Sequence, residues 1–270
     1  MPARGLTPLN FSKQNLNRSL WGQTPVRVRE ANVCSAETLT CIGYGCRRCW
    51  MVGVIADFLH GGKDMKVLML NGSPKADGNT NRALTEIGEQ LKKEGIDYEI
   101  FQIGGQSIRD CIGCGQCTEK GCVFDDDVTN AFIAKAKEAD GFIFGTPVYY
   151  AHPSGRIQAL LDRAFYAGGA AFAFKPGAAV AVARRAGTTA SVDVLEKYFG
   201  INNMPTVSST YWNVAHGRVP GEAAQDLEGM QTMRNLARNM AWMLKCIEAG
   251  RKAGIDHPEV ERGARTNFVR

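Results

Sequence analysis

The sequence predicts an α/β fold: a doubly wound parallel sheet carrying helices on both faces. Two observations predict it. From Met65 onward, short apolar runs alternate with segments of helical period. About five such β–α units fit into roughly 185 residues, the pattern that builds a parallel sheet through right-handed crossovers. The composition agrees, with 44% hydrophobic and 22% charged residues, the balance of an ordinary globular chain.

Lys66–Asn71 is an apolar run ending in Gly72-Ser73-Pro74, which reads as a buried strand meeting a loop. Ala83, Leu84, Ile87 and Leu91 recur at three- and four-residue spacing, and Gly95 stops that helix. Asp97–Ile103 is the second strand. Phe132, Ile133 and Ala136 mark a helix, and Gly141–Gly145 is a compact buried strand ending at Thr146-Pro147. Ile157, Leu160, Leu161, Ala164 and Phe165 mark the next helix, before a strand at Ala178–Ala183. A helix over Ser191–Tyr198 leads to a last short strand near Thr206–Ser209. The closing helix aligns Met230, Met233, Leu236, Met240, Met243, Leu244 and Ile247 on one stripe, the spacing of core packing. Cys246 on that helix is expected to be a buried apolar residue.

The chain of 270 residues is long enough to bury a sizeable core. It divides into an extension at 1–64, a domain at 65–250 with a cysteine-rich insert at 110–123, and a tail at 251–270. The extension is expected to be disordered or absent from the native protein. Gly61-Gly62 stand just before Met65 and are encodable by GGAGGA, a ribosome-binding sequence read in frame; a native chain beginning at or just after Met65 would bear this out. No apolar run reaches the roughly 20 residues of a membrane span, and Met51–Leu59 contains Asp57. Leu6–Leu20 is polar, unlike a secretory leader. A cytoplasmic location without a membrane partner is the expectation. The net charge is +5, yet residues 1–64 hold eight Lys/Arg against four Asp/Glu, and the remainder holds 24 against 23. The body therefore gives no bulk electrostatic reason to bind nucleic acid.

In doubly wound sheets ligands bind beyond the carboxyl ends of the strands, which singles out Gly72–Thr80, Thr146–Pro153 and Arg184–Thr189. The first loop is neither a dinucleotide GxGxxG nor a P-loop. It sets Ser73, Asn79 and Thr80 among glycines at a helix N-terminus, an arrangement suited to a phosphate dianion; turn and cap chemistry alone is the other reading.

Of nine cysteines, four lie at 34, 41, 46 and 49, four at 111, 114, 117 and 122, and one at 246. Clustered cysteines without a leader read as metal or redox ligands. The spacing Cys111-x2-Cys114-x2-Cys117-x4-Cys122 lets consecutive thiolates wrap one small centre, and Gly113, Gly115 and Gly121 permit the turns; it is close to the ferredoxin run. Zinc also accepts four thiolates, though usually from separated pairs, and a loop without metal is a third reading. Asp125, Asp126 and Asp127 are helix-start residues favoured by the dipole. Cys41, Cys46 and Cys49 lack such regularity. His152 is read as facing substrate, a neighbouring subunit or solvent; Tyr211, Trp212 and His216, placed after the last strand, are read as core or interface packing, with a wall of the site as the other reading.

Asn71-Gly-Ser-Pro with Gly78-Asn-Thr resembles the phosphate loop of the NADPH-dependent FMN reductase branch of the flavodoxin-like fold. Thr146-Pro-Val-Tyr-Tyr150 resembles its flavin-ring loop, and Leu161-Asp-Arg163 its helix motif. The resemblance runs from Met65 to about Ala249. It implies a flavodoxin-like doubly wound five-stranded parallel sheet of order 2-1-3-4-5 and bound FMN. Ser73, Lys75, Asn79 and Thr80 would hold the phosphate, while Thr146, Pro147, Val148, Tyr149 and Tyr150 would follow the isoalloxazine. Arg184 and Gly187, from the third loop, would meet the pyrimidine side. Strand-end packing for the tyrosines and surface charge for Arg184 stand as alternatives. The cysteine run is similar to that of the iron–sulfur flavoproteins of this family. It implies a [4Fe–4S] cluster on Cys111, Cys114, Cys117 and Cys122, in a homodimer or homotetramer that brings it near a neighbour's flavin. The implied function is electron transfer between NAD(P)H or ferredoxin and a small-molecule acceptor, with the chemistry at flavin N5 and no side-chain acid–base pair. A cluster-free NAD(P)H-dependent quinone, azo or nitro reductase is the second reading; a non-catalytic electron carrier or thiol/zinc redox sensor is the third.

Overall fold

The structure, a computed structural model, describes residues 65–264, 266 and 268; the expectations for residues 1–64, Cys41, Cys46 and Cys49 included, lie outside them. The chain runs β1 (Lys66–Asn71), α1 (Asn79–Lys93), β2 (Asp97–Gln102), α2 (Thr129–Glu138), β3 (Gly141–Tyr149) and β4 (His152–Pro153). It continues through α3 (Gly155–Gly168), β5 (Gly177–Ala183), α4 (Thr188–Ile201), β6 (Val214–His216) and α5 (Leu227–Lys252). The parallel order is β2-β1-β3-β5-β6, with the two-residue β4 folded back antiparallel on β3. Without that hairpin, this is the expected flavodoxin-like 2-1-3-4-5 winding.

Successive residues of a strand face opposite sides, so each central strand feeds two cores. Val67 and Met69 pack with α1 and α5; Leu68 and Leu70 pack with α2, α3 and α4. Such two-sided burial explains why β1 and β5 read as continuous apolar runs rather than alternating ones. The stripe of α5 buries Met230, Met233, Leu236, Met240 and Leu244. Among the described residues no helix is long and apolar enough to cross a membrane.

Three expectations are corrected. Thr206 makes only a one-residue bridge to Gly177. The chain then leaves the sheet and returns at Val214–His216, which pairs with Ala181–Ala183. Polar anchors to α5 hold the excursion out: Ser209 Oγ donates to Thr232 O at 2.7 Å, and Asn239 Nδ2 donates to Ser208 O at 2.8 Å. Tyr211 and Trp212 therefore precede the last strand, and both are half-exposed, edge to face at 4.6 Å. Cys246 is exposed, because it lies off the buried stripe of α5.

Candidate functional site

β1 ends in the buried Asn71, whose side chain organises the loop that follows. Its Oδ1 accepts from Ser73 N at 3.1 Å and its Nδ2 donates to Gln102 Oε1 at 2.5 Å. Gln102 Nε2 donates in turn to Ser73 O at 2.7 Å, and Gly72 N to Gly145 O at 2.7 Å. The loop is thus tied to β2 and β3, the strands flanking β1. Ser73 Oγ accepts from Lys75 N at 3.2 Å, an ST-turn.

α1 then begins behind Gly78 with no side-chain cap and no acidic residue in its first turn. By contrast, Ser154 caps α3 and Asp226 caps α5. The first-turn amides of a helix need outside acceptors, and an anion supplies them while meeting the positive end of the dipole. Lys75 adds a full charge at the same place.

These groups line a cleft of about 190 Å³ at the carboxyl ends of the strands. Of the residues expected to hold cofactor, Ser73, Lys75, Asn79, Thr80, Pro147, Val148, Tyr149 and Arg184 line it. Asn79 lines it with a side chain already committed, since Nδ2 donates to Val219 O at 2.9 Å and Oδ1 accepts from Ala223 N at 3.0 Å. It braces the loop after β6 rather than presenting a free amide.

Thr146, Tyr150 and Gly187 are placed elsewhere. Thr146 is buried; its hydroxyl donates to Pro147 O at 2.9 Å and accepts from Ser154 N at 3.0 Å, which closes the β3–β4 return. Tyr150, fully exposed, and Ala151 form the two-residue tip of that return at φ of 49° and 63°. That backbone state normally belongs to Asn-Gly. Gly187, at φ 87°, packs against the tip, and a β-carbon there would lie 2.5 Å from Ala151 Cα. Thr146 and Gly187 thus brace the return whose tip is Tyr150–Ala151. Gly217, Arg218 and Pro220 also line the cleft and were missed, because the expected last strand ended too early to place them. Lys75, Arg184 and Arg218 bring three cations to the cleft, with no carboxylate among its lining residues.

The cysteine loop lies between β2 and α2. Cys111, Cys114, Cys117 and Cys122 are free thiols that all line one small cavity of about 20 Å³, together with Phe124, Arg163 and Tyr166. Gly113, Gly115 and Gly121 take φ of 63°, 67° and 126°, the turns the spacing requires. Burial pushes the Cys117 thiol up, and the neighbouring Cys122, Cys114 and Cys111 add to this.

Cys122 is the anchored member. Asn130 on α2 accepts from Cys122 N and donates to Cys122 O, both at 2.9 Å. Arg163 Nε on α3 lies 3.3 Å from Cys122 Sγ. Asp127 does start α2, its Oδ1 accepting from Thr129 N at 2.9 Å, but it also pairs with Arg163. Burial alone would raise the Asp127 carboxyl; the Thr129 and Arg109 amides and Arg163 outweigh it and hold the group below the usual range. Among the described residues no three His, Cys, Asp or Glu side chains stand at metal-holding spacing. The donor set nevertheless fits a thiolate-ligated centre: four free thiols around one cavity, with a buried cation against one sulfur.

The profile of the family described as NADPH-dependent FMN reductase matches residues 65–218. An iron–sulfur flavoprotein from Methanocaldococcus jannaschii is 34% identical over 193 residues, covering 68% of this chain and 100% of the relative. Another, from Methanosarcina thermophila, is 28% identical over 193 residues, 69% of this chain and 99% of the relative. Among solved structures, an NAD(P)H:quinone oxidoreductase from Methanothermobacter marburgensis shares the fold with a TM-score of 0.51 at 15% identity, over 66% of this chain and 96% of that one.

Proposed function

The chain belongs to the NADPH-dependent FMN reductase family, in its iron–sulfur flavoprotein subgroup, as an FMN-dependent NAD(P)H oxidoreductase; on that premise we propose that it passes electrons from a nicotinamide or ferredoxin through FMN and a [4Fe–4S] cluster to a small acceptor. The observation that carries the FMN reading is the cleft itself, an uncapped helix N-terminus beside Lys75 at the rim where the strand order reverses. When bound, FMN and cluster together supply exchange between two-electron and one-electron chemistry.

The chain's own residues do the rest. Ser73, Lys75 and Thr80 with the first-turn amides of α1 receive the phosphate, and Asn79 holds the Val219–Ala223 segment over it. Pro147, Val148 and Tyr149 form the wall for the ring, which Thr146 and the Tyr150–Ala151 tip keep in register. Arg184 and Arg218 set a positive potential in the cleft, which favours added negative charge on whatever it holds. Cys111, Cys114, Cys117 and Cys122 ligate the cluster. No side chain is assigned as general acid or base.

The test is anaerobic purification of the full chain, followed by flavin identification, iron and acid-labile sulfide analysis, and reduction of the flavin band by NADPH or NADH. The expected result is bound FMN, iron and sulfide matching one [4Fe–4S] centre, and bleaching by a nicotinamide. A colourless protein that takes up no FMN overturns the reading. FMN without iron selects the cluster-free reductase, and inertness to nicotinamides with reduction by ferredoxin selects a carrier.

A further inference from the structure

We propose that Arg163 is the positioning residue that sets the potential of the cysteine centre, its Nε–H donating to Cys122 Sγ and its charge, damped by Asp127, favouring the reduced state. The inference rests on the reading of the four cysteines as cluster ligands, and assigns a role to a residue on a different element.

Arg163 projects from α3 into the base of the loop and is 1% exposed, and the Asp127 side chain is 3% exposed. A buried guanidinium must find partners for its donors. Here Nη1 donates to Asp127 Oδ2 and Arg109 O, Nη2 donates to Phe124 O at 2.6 Å, and Nε points at Cys122 Sγ. Folding the loop explains the three oxygen contacts. It does not explain a donor spent on sulfur in the same buried site. Asn130 fixes the backbone of Cys122 on both sides, which holds its Cα in place beneath the guanidinium. Of the other three cysteines, Cys111 is half-buried like Cys122, while Cys114 and Cys117 are exposed.

Reducing an iron–sulfur centre adds one negative charge. A hydrogen bond to a ligating sulfur and a nearby cation both favour the more negative state, and do so more strongly away from water. Asp127 opposes this with a charge of the other sign. Neutralising the two partners must therefore move the potential in opposite directions, which no purely structural role predicts.

The experiment is an anaerobic redox titration, followed by electron paramagnetic resonance, of the full chain and of Arg163→Gln, Arg163→Lys and Asp127→Asn, with FMN content as the control. In Asp127→Asn the amide oxygen can still accept from Thr129 N, which preserves the start of α2. Arg163→Gln should lower the cluster potential by at least a tenfold shift in the reduction equilibrium, 59 mV for a one-electron couple. Arg163→Lys, which keeps the charge, should lower it less, and Asp127→Asn should raise it. Unchanged potentials, or shifts of the same sign in Arg163→Gln and Asp127→Asn, overturn the inference. If Arg163→Gln loses iron or fails to fold, Asp127→Asn decides: an upward shift upholds the role, and no shift or a downward one refutes it. A wild-type chain that binds FMN but no iron fails the cluster reading itself and removes this inference with it. Iron bound with unmoved potentials fails the inference alone.

Discussion

A β-carbon at Gly121 would lie 2.5 Å from Asn130 Oδ1, at a φ of 126° that side chains rarely adopt. Asn130 is the clamp on Cys122, so this one position couples the turn of the loop to the placement of a sulfur. Gly121→Ala should displace the Asn130 amide and leave Cys122 held by Arg163 alone. The expected outcome is a loss of most bound iron on purification, with FMN content unchanged because the FMN cleft shares no lining residue with the cysteine cavity. Iron and flavin analysis of the variant checks this; iron retained at the wild-type level would remove the clamp from the account. The sequence marks Gly121 as a turn residue. It does not show that the turn is there to make room for an asparagine nine residues on.

At the scale of elements, α1 and α5 cover one face of the sheet and are joined by ions as well as by apolar contacts. Glu86 on α1 pairs with Arg82 one turn earlier and with Arg234 of α5 at 2.5 Å. Burial would raise the Glu86 carboxyl, but Arg234 and Arg82 outweigh it and hold the group below its ordinary 4.5. A depressed carboxylate contributes stability that is present above its unfolded value and is lost as pH falls through the folded one. Glu86→Gln should therefore cost about 1 kcal/mol near neutral pH, and its difference from wild type should fade in acid, as the pH falls from the ordinary 4.5 through the depressed folded value. Urea denaturation at neutral and at acid pH measures this; a difference that persists in acid would mean lost packing rather than lost charge. The last strand belongs to this scale too. Thr206–Ser209 carries a strand signal, and Thr206 does touch β5. Hydrogen bonds from Ser209 and Asn239 then draw the chain toward α5, so that Val214–His216 completes the sheet instead.

At the scale of the whole fold, two apolar cores among the described residues flank one sheet, and the four cysteines of the insert belong to neither. The cysteine-bearing stretch from Arg109 to Asp127 enters neither core and is held to the body by Arg163, Asp127 and Asn130. Removing iron with a chelator should consequently leave the far-ultraviolet circular dichroism intact and shift Tm by no more than about 4 °C, the change that roughly 1 kcal/mol produces in a domain of this size. Collapse of the dichroism on iron removal would show that the loop helps hold the sheet together. The same separation accounts for how the site divides: the cleft is built by strand ends and a helix start, the cysteine cavity by an insert pinned from beneath.

By itself the sequence determined the alternation of strands and helices, the buried stripe of α5, the loops at the strand ends and the four-cysteine insert. Each of these is written in spacings of a few residues, where hydrophobic period, glycine position and cysteine offset act locally. Only the tertiary structure decided which side chains are free and which are spent. It committed Asn79 to a segment 144 residues away, brought Arg218 into the cleft, set Thr146 and Gly187 to brace the β3–β4 return, and placed Arg163 against both Asp127, 36 residues distant, and Cys122. Such pairings arise when packing brings remote donors and acceptors out of water together. A buried polar group must then take whichever partner the fold delivers, and that partner leaves no trace in the neighbouring sequence.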